Sequence, residues 1–176
     1  MKRYCLYLFI LIGISCSAEL KAQKNGTVYK GNDPAVRYTG RTLVSSDGSV
    51  AFDWVGTYLE TRFTGGKLSV KVSETGTSYY NVFVDGKLHK VVKVCGTDTL
   101  IHLVSGIDKR IHSLKIQKRS EGEFGKTTVH QFVLSGSGRL AEELAVRTRH
   151  IEFIGNSLTC GYGTDGKHRD LSLIHI

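Results

Sequence analysis

Ser157 is the residue whose surroundings best fit a chemical reaction. It follows Gly155 and Asn156, directly after an apolar segment, 150–154, that reads as a buried strand. A strand that ends in a tight turn and then leads into a helix exposes the hydroxyl group of a serine placed in the turn. Backbone N–H groups at the start of that helix can stabilise a developing oxyanion. The pattern indicates a nucleophile for acyl transfer, although a serine after a glycine is also common in ordinary turns.

The chain before this segment has the pattern of a separate β domain. From Val36 to Leu134, about ten short runs of β-branched and aromatic residues are separated by turns, at intervals of roughly 8–12 residues. The chain has 20 glycines and 1 proline, which suits many tight turns. No amphipathic helix of normal length occurs before residue 139. We therefore expect an all-β sandwich or barrel, preceded by a loose lead-in.

The clearest turn is Asp85-Gly86, which joins two alternating runs at 79–84 and 88–94. This dipeptide readily adopts the positive φ angles that a two-residue hairpin turn requires. We expect the core to contain Phe52, Trp54, Phe63, Tyr80, Phe83 and Phe132. Such a cluster could instead line a sugar-binding face, because sugar rings stack on aromatic faces.

Composition and charge indicate a soluble globular domain. Hydrophobic residues make up 40% of the chain and charged residues 23%, and the formal net charge is +8. The basic residues alternate with apolar ones along the strands, which is typical of a solvated sheet face. No nucleic-acid-binding motif accompanies them, so no nucleic-acid partner is predicted. His102, His112 and His130 lie in strand patterns, where we expect surface or packing roles.

The first residues have the pattern of an export signal. Lys2 and Arg3 precede an apolar run, 4–14, that is short for a membrane span. Cleavage after Ala22 would leave a secreted or periplasmic protein without a membrane span. A lipoprotein signal that ends at Cys16 is a second interpretation, and an uncleaved anchor is a third.

Two cysteines remain after such a leader, Cys95 and Cys160. They fall in different predicted domains, so no disulfide between them is expected even in an oxidising compartment. No Cys and His spacing resembles a zinc site.

Segment 153–163, FIGNSLTCGYG, resembles the first sequence block of SGNH/GDSL hydrolases, and more narrowly that of carbohydrate esterase family 2. In that family a jelly-roll β-sandwich precedes the hydrolase domain. Segments 37–41, 52–54, 63–65 and 79–86 are similar to that jelly roll. The resemblance implies an all-β jelly-roll sandwich, followed by the first strand-turn-helix unit of an incomplete α/β domain of flavodoxin-like SGNH type.

The resemblance and the patterns together divide the chain into six segments. They are a signal peptide at 1–22, a lead-in at 23–34, the jelly roll at 35–138, a linker at 139–149, a hydrolase fragment at 150–170 and a tail at 171–176. A hydrolase domain of this type needs on the order of 150–200 residues, so we expect truncation. The tail, LSLIHI, resembles a translated sequencing adapter, and His175 is therefore not assigned a role.

The resemblance implies deacetylation of plant polysaccharides such as xylan or mannan. Ser157 would attack an acetyl ester and form an acyl-enzyme that water hydrolyses. A histidine late in the complete hydrolase domain would be the base. His168 occupies no catalytic position of the family, so we expect the chain as given to be inactive.

The same block supplies supporting positions. The backbone N–H of Ser157 would contribute to the oxyanion hole, and Gly155, Gly161 and Gly163 would shape the motif. Asn156 stands where the common pattern of the family has aspartate, and asparagine keeps much of the turn-forming capacity. No metal or organic cofactor is expected, because serine hydrolysis needs none.

Two other functions stay open at this stage. The jelly roll alone could be a non-catalytic carbohydrate-binding module. Alternatively, the serine block could belong to an SGNH lipase or thioesterase, which would need an apolar acyl pocket. The expected partner of the esterase is an acetylated polysaccharide or oligosaccharide, and the sequence predicts no oligomeric state.

Overall fold

The computed structural model describes residues 26–141, 148, 149, 151, 154–156 and 159 of the 176-residue chain. This part of the chain contains eight strands and one short 3-10 turn. The strands are β1 (Thr27–Lys30), β2 (Val36–Thr39), β3 (Leu43–Val44), β4 (Val50–Phe52), β5 (Tyr58–Val84), β6 (Lys87–Lys118), β7 (Thr127–Ser135) and β8 (Arg139–Leu140), and the 3-10 turn is Gly122–Phe124. The predicted all-β jelly roll is confirmed. None of the described residues lies in a helix long and apolar enough to cross a membrane.

All strand pairs are antiparallel, and they form one sheet that curls into two layers. In the first layer, β2 pairs with the start of β5, whose other edge pairs with the end of β6. The end of β5 continues this layer and pairs with the start of β6. In the second layer, β7 pairs with the middle of β5 on one edge and with β1 and β4 on the other. β5 and β6 therefore belong to both layers.

The two long strands replace several short strands that the sequence pattern predicts. Gly65-Gly66 has positive φ angles of 38° and 78°, as a turn would, but the pairing of β5 with β6 continues beyond it after a register shift. A glycine pair therefore makes a bulge and a bend here, which changes the direction of a strand without ending it. The sequence pattern therefore predicts more strands than the structure contains.

The Asp85-Gly86 hairpin is confirmed. Asp85 has a φ of 51° and Gly86 a φ of 76°, and Val84 pairs with Lys87 across the turn. The Asp85 N–H also donates to the carbonyl of Ser113, at 3.0 Å, which joins the turn to the neighbouring strand.

The core lies between the two layers. Its fully buried members come from β4, β5, β6 and β7, in alternating positions: Val50, Leu59, Phe63, Leu68, Val82, Leu103, Leu114, Phe132 and Leu134. Of the six aromatic residues predicted for the core, four are buried: Phe52, Phe63, Tyr80 and Phe132. Phe83 is only partly buried.

The expectation that Trp54 is a core residue is wrong, because its side chain is 58% exposed. Strand β4 ends at Phe52, and Trp54 lies in the turn that follows. The alternation of inward and outward side chains applies only along a strand, so it does not fix the direction of a residue beyond its end.

Two short strands lie where the sequence predicts a lead-in and a linker. β1, in segment 23–34, pairs with β7 from Thr27 opposite Leu134 to Lys30 opposite Gln131. β8, at the start of segment 139–149, pairs with β5. Both add edge strands that the alternation pattern is too short to reveal.

Candidate functional site

The predicted nucleophile, Ser157, lies outside the described residues, as do Gly161 and Gly163. The structure places Gly155 and Asn156 on the surface, at the start of a tight turn. The carbonyl of Asn156 accepts a hydrogen bond of 3.0 Å from the N–H of Thr159. A Cβ atom added to Gly155 would lie 2.1 Å from Thr159 Oγ1, so the close approach requires glycine. The hydrogen bond from Thr159 to Asn156 joins the two ends of the predicted turn, and the turn itself and the role of Ser157 stay predictions.

Of the strand predicted at 150–154, the structure describes Ile151 and Ile154, and the other three residues lie outside the described ones. Ile151 and Ile154 belong to no strand and are 78% and 91% exposed. A strand of a parallel sheet is buried only when neighbouring strands and helices cover it. The strand at 150–154 therefore stays a prediction.

A second region with chemical potential surrounds Trp54, and we call Trp54, Arg41, Asp53 and Gly122 the Trp54 surface. Trp54 lies in a turn in which the N–H of Thr57 donates to the carbonyl of Trp54, at 3.3 Å. The guanidinium carbon of Arg41 lies 5.8 Å from the ring centroid, within the range of a cation–π contact.

A depression of about 240 Å³ lies at this surface, lined by Asp53, Trp54 and Gly122. Glu121 precedes Gly122, and its Oε2 atom is buried without a hydrogen-bond partner among the described residues. An aromatic face beside the carboxylate of Asp53 can bind a ligand that has both C–H and O–H groups. Trp54 is one of the six aromatic residues predicted for the core, and the signal that distinguishes it is its position beyond the end of β4.

A larger groove of about 380 Å³ lies on the outer face of the first layer. Here the Lys115 ammonium lies 4.3 Å from the ring centroid of Tyr58 and 5.7 Å from that of Phe83. Arg37 and Glu60 form an ion pair of 3.1 Å beside them. Lys115 therefore covers the aromatic faces of this groove with its own side chain.

A third groove, of about 510 Å³, contains His130 on the outer face of the second layer. Ser49 Oγ donates to Asp47, at 2.9 Å, and must therefore accept from His130 Nδ1–H, at 3.1 Å. Ser73 Oγ accepts from the N–H of Asp98, at 3.0 Å, and its own proton can reach His130 Nε2, at 2.8 Å. Both ring nitrogens thus connect β7 with neighbouring segments, and the expected structural role of His130 is confirmed.

His112 is buried, with 4% exposure, and lies between two carboxylates. Its Nδ1 is 2.7 Å from Asp85 Oδ2, and its Nε2 is 2.9 Å from Asp108 Oδ1. The hydrogen bond to Asp85 raises the pKa of His112, and the same bond lowers the pKa of Asp85. The N–H of Arg110, followed by His112, lowers the pKa of Asp108 to about 2. The predicted packing role is confirmed, and the charge pairing is new, because Asp85 lies in the hairpin turn, 27 residues away, and Asp108 lies in β6 itself.

A buried lysine, Lys118, is the last residue of the same strand. Lys118 is 1% exposed, and its Nζ donates to Ser78 Oγ, at 2.6 Å, and to the carbonyl of Gly125, at 2.9 Å. The ammonium also lies 5.7 Å from the ring centroid of Tyr80. Burial lowers the pKa of Lys118, and the nearby carboxylate of Glu74 opposes this effect. These contacts fix the segment after β6.

Residues 26–141 contain little that would support metal or thiol chemistry. No group of three or more His, Cys, Asp and Glu side chains in the described part of the chain could hold a metal ion. Cys95 is exposed and carries a free thiol. Cys160 lies outside the described residues, so the prediction about a disulfide stays a prediction.

Comparison with known proteins identifies this jelly roll as the β domain of a class of esterases. Residues 38–143 match the family described as carbohydrate esterase 2 N-terminal, and this match spans more than half of the chain. The chain therefore belongs to that family, and the resemblance noted from its sequence is confirmed.

Two curated relatives match most of the chain. The cellulase/esterase CelE of Acetivibrio thermocellus is 33% identical over 141 residues, which cover 80% of this chain and 17% of that protein. An acetylxylan esterase / glucomannan deacetylase of Cellvibrio japonicus is 29% identical over 135 residues, which cover 76% of this chain and 37% of that protein. The chain thus spans well under half of the length of these relatives.

Two solved structures of family two carbohydrate esterases also resemble this domain. A family two carbohydrate esterase from Clostridium thermocellum, in complex with cellohexaose, has a TM-score of 0.69 and 33% identity, covering 76% of this chain and 41% of that chain. The family two carbohydrate esterase from Cellvibrio japonicus has a TM-score of 0.70 and 25% identity, covering 83% and 44%. The described domain therefore corresponds to less than half of each of these enzymes.

Proposed function

We propose that this chain is the N-terminal part of a secreted carbohydrate esterase that removes acetyl groups from plant polysaccharides such as xylan or mannan. The observation that carries the proposal is the order of two features. The family match ends at residue 143, and the serine block follows at 153–163. Relatives named acetylxylan esterase / glucomannan deacetylase support the substrate class.

In this proposal, Ser157 Oγ attacks the carbonyl carbon of an acetyl ester while a histidine takes its proton. The negative charge moves to the carbonyl oxygen, toward which the backbone N–H of Ser157 donates. The bond between the carbonyl carbon and the sugar oxygen then breaks, and the histidine returns the proton to the sugar. Water cleaves the acetyl-serine by the same route and releases acetate. The histidine base has no counterpart assigned in the 176 residues.

The test begins with the DNA source of this chain, sequenced beyond codon 170 with primers that avoid the library adapter. The complete protein should release acetate from acetylated xylan or glucomannan. Ser157→Ala should lower its kcat by a factor of about 10³ or more, because the nucleophile is lost. The 176-residue chain alone should release no acetate.

Three results would contradict this proposal. Acetate release that survives Ser157→Ala in the complete protein would exclude Ser157 as the nucleophile. Serine-dependent release by the 176-residue chain would show that the chain already holds a base. Faster hydrolysis of p-nitrophenyl octanoate than of p-nitrophenyl acetate would indicate a lipase or thioesterase.

A further inference from the structure

We propose that the Trp54 surface is a glycan-binding subsite of the jelly roll, which holds one pyranose ring of a neutral polysaccharide against the indole. The subsite is separate from the serine block and does not use its chemistry. The inference rests on the proposed function in one respect only, namely that the ligand is a polysaccharide.

The first argument is the way Trp54 is presented. A tryptophan side chain is a large apolar group that usually buries most of its surface, yet this one is 58% exposed. The backbone that carries it is fixed, because the N–H of Thr57 donates to the carbonyl of Trp54 and the N–H of Gly56 donates to the carbonyl of Lys118, at 2.9 Å. A tryptophan side chain has only two χ angles, so it loses little conformational entropy when a ligand packs on it.

The second argument is the chemistry of the two partners. The face of an indole carries negative potential, and the C–H groups on one face of a pyranose ring carry partial positive charge, so the two stack. Arg41 lies over the indole and covers one of its faces. The opposite face is therefore the one offered to a sugar ring.

The third argument is the supply of hydrogen-bond acceptors. Asp53 lines the same depression as the indole. Its carboxylate oxygens accept hydrogen bonds, and sugar hydroxyl groups are donors that can supply them.

Size and charge narrow the ligand class. The depression, of about 240 Å³, is smaller than the roughly 300–1,000 Å³ of sites for drug-sized molecules. It therefore suits one ring of a longer chain that continues over the surface. The carboxylate of Asp53 lines the depression and repels an acidic polysaccharide, so a neutral glycan is preferred over a polyuronate.

The other two grooves fit a glycan less well. In the groove of the first layer, the lining aromatic residue Phe83 is only partly exposed, and Lys115 lies 5.7 Å from its ring centroid. The lining of the groove around His130 contains no Phe, Tyr or Trp. Of the three grooves described above, the one at the Trp54 surface alone combines an aromatic side chain that is 58% exposed with a carboxylate acceptor.

The experiment uses a favourable property of the chain, which contains 1 tryptophan. Fluorescence excited selectively at tryptophan therefore reports Trp54 alone. We would titrate the 176-residue chain with cellohexaose, xylohexaose and mannohexaose, and with a polygalacturonate oligomer as the charged control. A saturable change in emission is expected with at least one neutral hexaose and not with the polygalacturonate.

Variants locate the binding by calorimetry. Trp54→Ala should weaken binding at least about tenfold, Trp54→Phe less, and Asp53→Asn should also weaken it. Phe83→Ala, in the groove of the first layer, is the matched aromatic control and should bind as the wild type does. Circular dichroism confirms that each variant is folded.

Several results would contradict the proposed subsite. One is an unchanged emission with every neutral hexaose, and another is binding that Trp54→Ala leaves intact. Emission that acrylamide cannot quench would show that another part of the protein covers the indole. Ser157→Ala separates the two proposals, since it should abolish deacetylation in the complete protein and leave the fluorescence titration unchanged.

Discussion

His112 joins the hairpin turn to an earlier part of β6 through one buried ring. Asp85 belongs to the hairpin between β5 and β6, and Asp108 lies 4 residues before His112 in β6, so the ring reinforces the backbone bond between Asp85 and Ser113. Phe63 packs beside the ring, at 5.8 Å between centroids. Because both nitrogens face carboxylate oxygens, the protonated imidazolium is the form that satisfies both contacts.

This arrangement predicts how stability depends on pH. The folded pKa of His112 is raised, so its contribution is complete below the unfolded pKa, about 6.5, and is lost as pH rises through the folded value. The folded pKa values of Asp85 and Asp108 are lowered, so their contribution is present above about 3.9 and is lost as pH falls. The three groups together stabilise the fold most between about pH 4 and 6.5.

Urea unfolding at several pH values measures this contribution. The free energy of unfolding of the wild type should fall between pH 6 and 9, and that of His112→Gln should fall less over the same range. His102→Gln is the matched control, since His102 is exposed and bonds to Ser69 rather than to a carboxylate. Equal pH dependence in the wild type and His112→Gln would exclude the ion pairs as the cause.

At the scale of elements, the bend of β5 depends on Gly66. Its φ is 78°, and a Cβ atom there would lie 2.3 Å from the carbonyl oxygen of Ser135. Gly86, in the hairpin, has nearly the same φ, 76°, but nothing lies within 4 Å of an added Cβ. The two positions therefore share the conformational cost of a side chain and differ in the steric cost.

Alanine substitutions separate these two costs. Gly86→Ala should lower the free energy of unfolding by about 1–2 kcal/mol, from the left-handed conformation alone. Gly66→Ala should cost at least about 3 kcal/mol, because backbone atoms of β5 and β7 must also move apart. Chemical denaturation of both variants gives the comparison, and equal losses would show that the contact with Ser135 relaxes freely.

The sequence predicts these elements to different degrees. Asp85-Gly86 identifies its hairpin because the turn conformation depends on those two residues alone. Gly65-Gly66 has the same local preferences, but only the strands on either side decide whether the chain turns back or bends. Trp54 lies beyond a strand end, where alternation no longer applies. Ser157 needs a different kind of information, because its motif is local in sequence and its partners in catalysis are distant.

At the scale of the whole molecule, the family match covers residues 38–143 of the 176-residue chain. The described domain begins at β1, so residues 1–25 precede it, and the predicted signal peptide lies among them outside the described residues. We propose cleavage after Ala22, because a short apolar run follows Lys2 and Arg3. Export would bring the proposed esterase to its extracellular substrate.

Mass spectrometry of the mature protein checks this proposal. After expression in a bacterial host with its own leader, the protein should appear outside the cytoplasm with Gln23 as its first residue. A lipid-modified N-terminus at Cys16 would contradict cleavage after Ala22, and so would a protein that keeps Met1. Replacing residues 4–14 with a polar segment is the control and should retain the protein in the cytoplasm.

The passage of β5 and β6 through both layers also shapes how the domain comes apart. Each layer shares these two backbone segments with the other, so separating one layer pulls on strands that the second layer still holds. Most pairing partners are far apart in sequence, which slows folding. We therefore expect the sandwich to unfold as a single cooperative unit, so a substitution that destabilises one layer lowers the stability of both.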